Sequence, residues 1–258
     1  MKFLFLGDIV GKPGYTGLRR ELPRIREEHG LDAVIANAEN ASDGSGLMPR
    51  QFRRLIETGV DAITMGDHLY RRKEIIEILE TSDRLVKPAN FPATAPGRTW
   101  TIIDTPAGRL AIISLLGRTY MRPVDCPFAA VDLALEEIGK QASHILVDIH
   151  AEATSDKQLI GRHLDGRVTA VLGTHTHVPT ADSCILPQGT AFQCDVGMCG
   201  PYESILGRSI SKVLGSSTTF VPDCFYVATQ DVRLCGAIIE ADETGKATKI
   251  ERFELRLD

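Results

Sequence analysis

Two histidines separated by one residue, in the stretch Gly173-Thr174-His175-Thr176-His177, follow the apolar run 168–172. Just past a buried strand, two neutral imidazoles at i and i+2 would lie close together where a parallel sheet opens into its binding crevice, at the carboxyl ends of its strands. A His-x-His pair alone carries little weight. Four other apolar runs, however, also lead to metal-ligating types. Residues 3–6 lead to Asp8, 33–36 to Asn37-Ala38-Glu39-Asn40, 62–65 to Gly66-Asp67-His68, and 145–147 to Asp148-Ile149-His150. Five strand ends carrying carboxylates, an amide and imidazoles point to a two-metal hydrolase.

Asp8, Glu39, Asp67, His150, His175 and His177 offer hard oxygens and imidazole nitrogens without thiolate, a mixture suited to iron, manganese or zinc. Two such ions, roughly 3.5–4 Å apart, need a bridging carboxylate and terminal ligands for each. They would clamp phosphoryl oxygens, acidify a water and stabilise transition-state charge. His68 follows a candidate ligand directly, so it could face the leaving group. Imidazole is the side chain suited to protonating a departing alkoxide close to neutrality. Singly, most of these residues have ordinary explanations: Asp8 as a turn cap, Glu39 as a solvated acid, Asp67 as a turn former, His150 as a core histidine. Jointly those explanations need five coincidences at strand ends. His29, His144 and His163 occupy helical or pre-strand positions and are read as structural.

The elements that must position these groups alternate through the first two thirds of the chain. Gly11-Lys12-Pro13-Gly14 predicts a turn, and Leu18, Leu22, Ile25 and Arg26 an amphipathic helix ending near Gly30. Ser42-Asp43-Gly44-Ser45-Gly46 reads as a loop; Pro49 opens a helix that Gly59 closes. A further helix carries Ile75, Ile76, Ile78 and Leu79. Runs 100–104 and 110–115 flank Thr105-Pro106-Ala107-Gly108-Arg109 as a hairpin. Helices are expected near 128–141 and 155–164, and the tail from Thr190 reads as strands, ending in 227–240 and 249–257. Hairpins added to βα units imply two packed sheets with helices outside. Gly7-x3-Gly11-Lys12 falls one residue short of a phosphate loop, with Pro13 in place of the hydroxyl residue, and is not read as one. The helix N-terminus after that turn could still help hold an anion, with backbone amides around 44–46 and 197–200 as weaker candidates for the same task.

Composition narrows the function classes. A chain of 258 residues, 43% hydrophobic and 24% charged, is an ordinary globular protein rather than a disordered or membrane one. Candidate ligands from Asp8 to His177 must converge, which favours a single domain over 1–258. A net charge of −5 gives no general attraction to nucleic acid, so no stable nucleic-acid binding is expected. No segment approaches the ~18 apolar residues of a membrane span, and the short first run lacks the features of a signal peptide. The expectation is a cytoplasmic protein. Six cysteines without a C-x-x-C pair are expected to be mostly buried thiols. Apolar strand edges in the tail make homo-oligomerisation an open expectation. Arg118, Tyr120 and Arg122 are assigned to a solvated loop.

Six ordered motifs carry a resemblance: Gly7-Asp8-Ile9-Val10-Gly11, Asn37-Ala38-Glu39-Asn40, Gly66-Asp67-His68, His150-Ala151-Glu152-Ala153-Thr154-Ser155, Gly173-Thr174-His175-Thr176-His177 and Asp195-Val196-Gly197-Met198. With them the chain resembles the calcineurin-like metallophosphoesterase superfamily, and within it the YmdB-like bacterial phosphodiesterases. The resemblance implies an α/β fold: a four-layer α/β/β/α sandwich of two mixed sheets with a dinuclear centre at the sheet ends. Carried over by position, one metal takes Asp8, Glu39, Asn40 and His177. The second takes Glu39, Asp67, His150 and His175, with Glu39 bridging and His68 as proton donor. Two divalent or mixed-valence ions, iron or manganese with zinc also compatible, and small phosphodiesters such as 2′,3′-cyclic nucleotides are what it implies. A phosphomonoesterase of broad specificity, or a metal-containing regulatory protein with little catalysis, stands as the alternative. One departure is Asp67, where the family usually carries Asn. An extra carboxylate would hold the second metal more tightly and make it less electrophilic. The wider superfamily also has a His two residues after Asp8, absent here; Asn40 would fill that position.

Overall fold

The computed structural model describes residues 1–257. In chain order the elements are β1 (Lys2–Leu6), β2 (Asp8–Ile9), α1 (Gly11–His29), β3 (Ala33–Asn37), α2 (Pro49–Thr58), β4 (Ala62–Thr64), a 3-10 turn at Lys73–Ile75 running into α3 (Ile76–Thr81), and β5 (Leu85–Val86). The hairpin β6 (Trp100–Thr105) and β7 (Gly108–Leu116) follows, then α4 (Pro127–Ile138), β8 (His144–His150), α5 (Thr154–Leu164) and β9 (Ala170–Thr174). The remainder is β10 (Cys184–Ile185), β11 (Ala191–Gln193), β12 (Met198–Pro201), α6 (Ile210–Thr219), β13 (Val232–Ala241) and β14 (Ala247–Arg256).

The strands form two mixed sheets. One runs β2-β12-β13-β1-β3-β4-β5, with β14 paired to β13; the other runs β10-β11-β9-β8-β7-β6. Strands β1, β3, β4 and β5 are mutually parallel, as are β7, β8, β9 and β11. Side chains alternate between faces with period two, and that alternation builds the layers. Phe3, Phe5, Ile35, Ala62, Ile112, Leu146 and Leu172 pack between the sheets. Leu4, Leu6, Val34 and Ile63 face α1 and α2 on one outer side, while Ile113, Val147, Ile149 and Val171 face α4 and α5 on the other. The result is the expected helix–sheet–sheet–helix sandwich.

Helix ends follow their sequence signals. Gly30 takes a left-handed φ of 59°, and Leu31 N–H closes onto Arg26 O at 3.1 Å; Gly59 ends α2 in the same manner, with Val60 N–H on Leu55 O at 3.0 Å. At three places the structure departs from expectation. The 11–14 stretch opens α1 instead of turning, because Pro13 is tolerated in a first turn whose N–H groups need no partner. Gly14 there allows the helix to rest on the Cys199 carbonyl, where a Cβ would collide. The tail contains a helix, α6, none of whose residues is buried. Its apolar exposure lies on α6 and the segments flanking it, at Leu206, Leu214, Phe220, Val221 and Tyr226, rather than on the edge strand β14. The edge strand β14 presents Lys249, Glu251, Arg252 and Glu254 to solvent, which blunts edge pairing. Finally, only Cys194, Cys199 and Cys235 are buried; Cys126, Cys184 and Cys224 are exposed, all six as free thiols. Arg118, Tyr120 and Arg122 are exposed as expected. Among the described residues no helix is long and apolar enough to cross a membrane.

Candidate metal centre

At the carboxyl ends of the parallel strands the seam between the sheets changes character. Continuing the inward-facing register past Ile35, Ala62, Leu146 and Leu172 gives Asn37, Thr64, Asp148, His150 and Thr174, all buried and polar. Beyond them the chain delivers Asp8 on β2, Glu39 and Asn40 after β3, Asp67 and His68 after β4, His150 at the end of β8, and His175 and His177 after β9. Every site residue expected from the sequence therefore arrives at this one end.

Glu39, Asp67, His150 and His175 each offer a ligand atom, all within 4.8 Å of one another. His150 Nε2 lies 3.1 Å from His175 Nδ1, 3.3 Å from Asp67 Oδ1 and 3.2 Å from Glu39 Oε1; His175 Nδ1 lies 3.7 Å from Asp67 Oδ1. Donors bound at about 2.1 Å to a tetrahedral ion stand roughly 3.4 Å apart, so these four atoms fit a cation. The second set is less gathered. Asn40 Nδ2 lies 3.3 Å from each of Asp8 Oδ1, Glu39 Oε1 and His177 Nε2, and His177 Nε2 lies 3.7 Å from Asp8 Oδ1. Asn40 thus turns its amide nitrogen inward, while its Oδ1 accepts from His68 Nδ1 at 2.7 Å. The two amide atoms are alike in shape, so a half-turn presents the oxygen as a ligand. Gly66 makes the convergence possible, since a Cβ there would fall on His150 Nε2 and Glu39 Oε2.

Each imidazole has its outer nitrogen occupied, which leaves the inner one as donor. His150 Nδ1 donates to Thr174 Oγ1 (2.8 Å), whose hydroxyl donates to Asp148 Oδ1 (2.7 Å). His177 Nδ1 donates to Leu206 O (3.0 Å), and His175 Nε2 faces Glu152 Oε2 at 3.2 Å. Asp148 also accepts from Thr64 Oγ1 (2.6 Å) and Asn37 Nδ2 (3.1 Å), which ties β3, β4, β8 and β9 beneath the centre. The sequence reading missed Asp148, Thr174 and Glu152 as supports. Asp148 had a signal: two residues before His150 on a strand, it shares that residue's face.

The electrostatics ask for positive charge. Burial pushes the Asp8 carboxyl up, but His177, His150 and the His175 N–H outweigh it and hold it well below the usual range. Asp67 is likewise held low, burial being overcome by His150 and then His68 and His175. Burial opposes charge on His150 and His177, yet Glu39 and Asp67 around the first, and Asp8 beside the second, raise both. His175 goes the other way, lowered by burial and by neighbouring His150. Burial raises Asp148 to about 6 despite its three donors. Ionised carboxylates around imidazoles with free inner nitrogens form a donor set fit for hard or borderline cations.

The comparisons agree with this geometry. A family described as YmdB-like protein matches residues 4–253. The chain is 43% identical, over 100% of its own length and 98% of the relative's, to a 2′,3′-cyclic-nucleotide 2′-phosphodiesterase of Bacillus subtilis. A crystal structure of a hypothetical protein from Thermus thermophilus superposes with TM-score 0.93 at 40% identity, covering 99% of both chains. That of a phosphatase from Mycoplasma pneumoniae gives TM-score 0.92 at 32% identity, covering 99% of this chain and 93% of the other. With its motifs, its sandwich and its clustered donors in agreement, the chain belongs to the YmdB-like family.

Proposed function

We propose that this chain, acting as one domain over 1–258, is a two-cation phosphodiesterase for small phosphodiesters, and that 2′,3′-cyclic nucleotides are its substrate class. The observation that carries this reading is the four-donor cluster of Glu39, Asp67, His150 and His175 in a chain so similar to a 2′,3′-cyclic-nucleotide 2′-phosphodiesterase. One cation would be held by Asp8, Glu39, Asn40 and His177, the second by Glu39, Asp67, His150 and His175. Iron or manganese suits the donors best, with zinc compatible. When bound, the pair supplies Lewis-acid charge for the phosphoryl oxygens and lowers the pKa of an attacking water.

The chain's own residues do the rest. With its oxygen turned onto the cation, Asn40 would donate from Nδ2 to His68 Nδ1, which stands 2.7 Å from its outer amide atom, and leave Nε2–H at the half-buried rim. As water adds to phosphorus and the bond to the ribose 2′-oxygen breaks, His68 Nε2–H gives that oxygen its proton, and a nucleoside 3′-monophosphate leaves. The formal charge of −5 supports a small ligand rather than a nucleic acid. Free thiols support a cytoplasmic setting, and the exposed apolar residues of α6 support self-association. Turnover of bis-p-nitrophenyl phosphate against p-nitrophenyl phosphate tests the reaction class. Preference for the diester is the expected result; preference for the monoester would replace this reading with a phosphomonoesterase.

A further inference from the structure

Thr176 separates the two histidines, and its side chain has no part in the donor cluster. It points instead at Asp195, whose side chain is only 1% exposed. Asp195 Oδ2 accepts from Thr176 Oγ1 at 2.6 Å, Thr176 N–H at 3.1 Å and Lys157 Nζ at 2.8 Å; its Oδ1 accepts from Gly197 N–H at 2.8 Å. Lys157 comes from α5 and is equally buried. Its stem crosses Gly173, where a Cβ would lie 2.9 Å from Lys157 Cδ and collide with the Cys194 carbonyl. The backbone of Asp195 is held as well, since Thr180 N–H and Gln193 Nε2 donate to its carbonyl oxygen at 2.9 and 2.7 Å.

The backbone shows why such a tether is needed. His175 and His177 both take positive φ, 94° and 63°, a region strained for a residue with a Cβ, which persists only when surroundings over-determine it. The residue between them is pinned through both its N–H and its hydroxyl to one buried carboxylate. Lys157, rather than solvent, balances that carboxylate's charge.

We propose that Lys157, Asp195 and Thr176 form a positioning clamp that sets His175 and His177 together, so that loosening it weakens both cation sites at once. The coupling rests on the two-cation reading above, in which the two histidines serve different ions. A buried ion pair that merely stabilised the fold would not act selectively through the Thr176 hydroxyl.

The test uses Thr176→Val, which keeps the shape and the N–H but removes the hydroxyl, beside Thr176→Ser, which restores it. Binding of Mn²⁺ is measured by competition with a chelating indicator, and deuterium uptake of the 173–178 segment is measured in metal-free protein. The clamp predicts that Thr176→Val raises both Mn²⁺ dissociation constants about 10–100-fold. It also predicts faster exchange of the segment, at a melting temperature within a few degrees of wild type, with both effects reversed in Thr176→Ser. Unchanged exchange together with unchanged affinities would overturn it, as would weakening of one site alone. Wild-type protein that took up no Mn²⁺ would count against the two-cation reading, while the exchange comparison would still decide for or against the clamp.

Discussion

Replacing His68 by alanine should separate two kinds of leaving group. The ring is anchored on its inner edge, Nδ1 lying 2.7 Å from the outer amide atom of Asn40, and its Nε2 is left at the rim. The backbone N–H of residue 68 donates to Glu39 Oε2 at 3.0 Å and survives the substitution, so the donor cluster keeps that support. A positioned general acid protonating an alkoxide is worth about 10²–10⁴ in rate, or about 2.7–5.4 kcal/mol of barrier. A nitrophenolate departs without a proton. In Mn²⁺-loaded protein of equal metal content, His68→Ala should therefore lose about 10²–10⁴ in kcat on 2′,3′-cyclic AMP. On bis-p-nitrophenyl phosphate it should lose less than about tenfold. Equal losses on the two substrates would refute the proton-donor role and make His68 a support of the cluster.

Three further substitutions probe the rest of the account. Asp67→Asn keeps an oxygen 3.3 Å from His150 Nε2 but removes its charge; it should retain the second cation at least about tenfold less tightly and lower KM for anionic diesters. No change in metal content or kinetics would refute this. Asp148 has a folded pKa of about 6 against 3.8, raised by burial, so its contribution to stability is greatest below pH 3.8 and is lost as pH rises through 6. Denaturant titrations of metal-free protein should show wild type losing up to about 3 kcal/mol relative to Asp148→Asn between pH 4 and 7, and a pH-independent difference would contradict it. Gly66→Ala should leave the metal-free melting temperature within a few degrees. It should also weaken Mn²⁺ retention more than about 100-fold, by pushing His150 and Glu39 apart. Unchanged binding would show that the cluster tolerates the methyl.

The candidate ligands were legible because strand formation is signalled locally: a short apolar run announces a strand, and the polar residues at its end announce what that strand carries. The supports were harder to see. Asp148 and Thr174 lie just past the apolar runs, beside the candidate ligands, and their supporting role appears only when β3, β4, β8 and β9 come into register beneath the centre. Lys157 drew no attention in the sequence, since nothing local indicates that α5 turns it inward onto Asp195, 38 positions away. The helix α6 was missed for a related reason. Its segment, Ile210–Thr219, buries no face, so it lacks the apolar stripe that marks other helices. The apolar residues expected on strand edges sit there and on either side of it instead.

The most direct measurement of the central claim joins elemental analysis to turnover of 2′,3′-cyclic AMP by Mn²⁺-loaded, metal-free and Glu39→Gln protein. The account predicts two ions per chain in the loaded wild type, release of adenosine 3′-monophosphate, and loss of that activity in the metal-free and Glu39→Gln proteins. Two bound ions with no hydrolysis, or hydrolysis undiminished in metal-free protein, would contradict it.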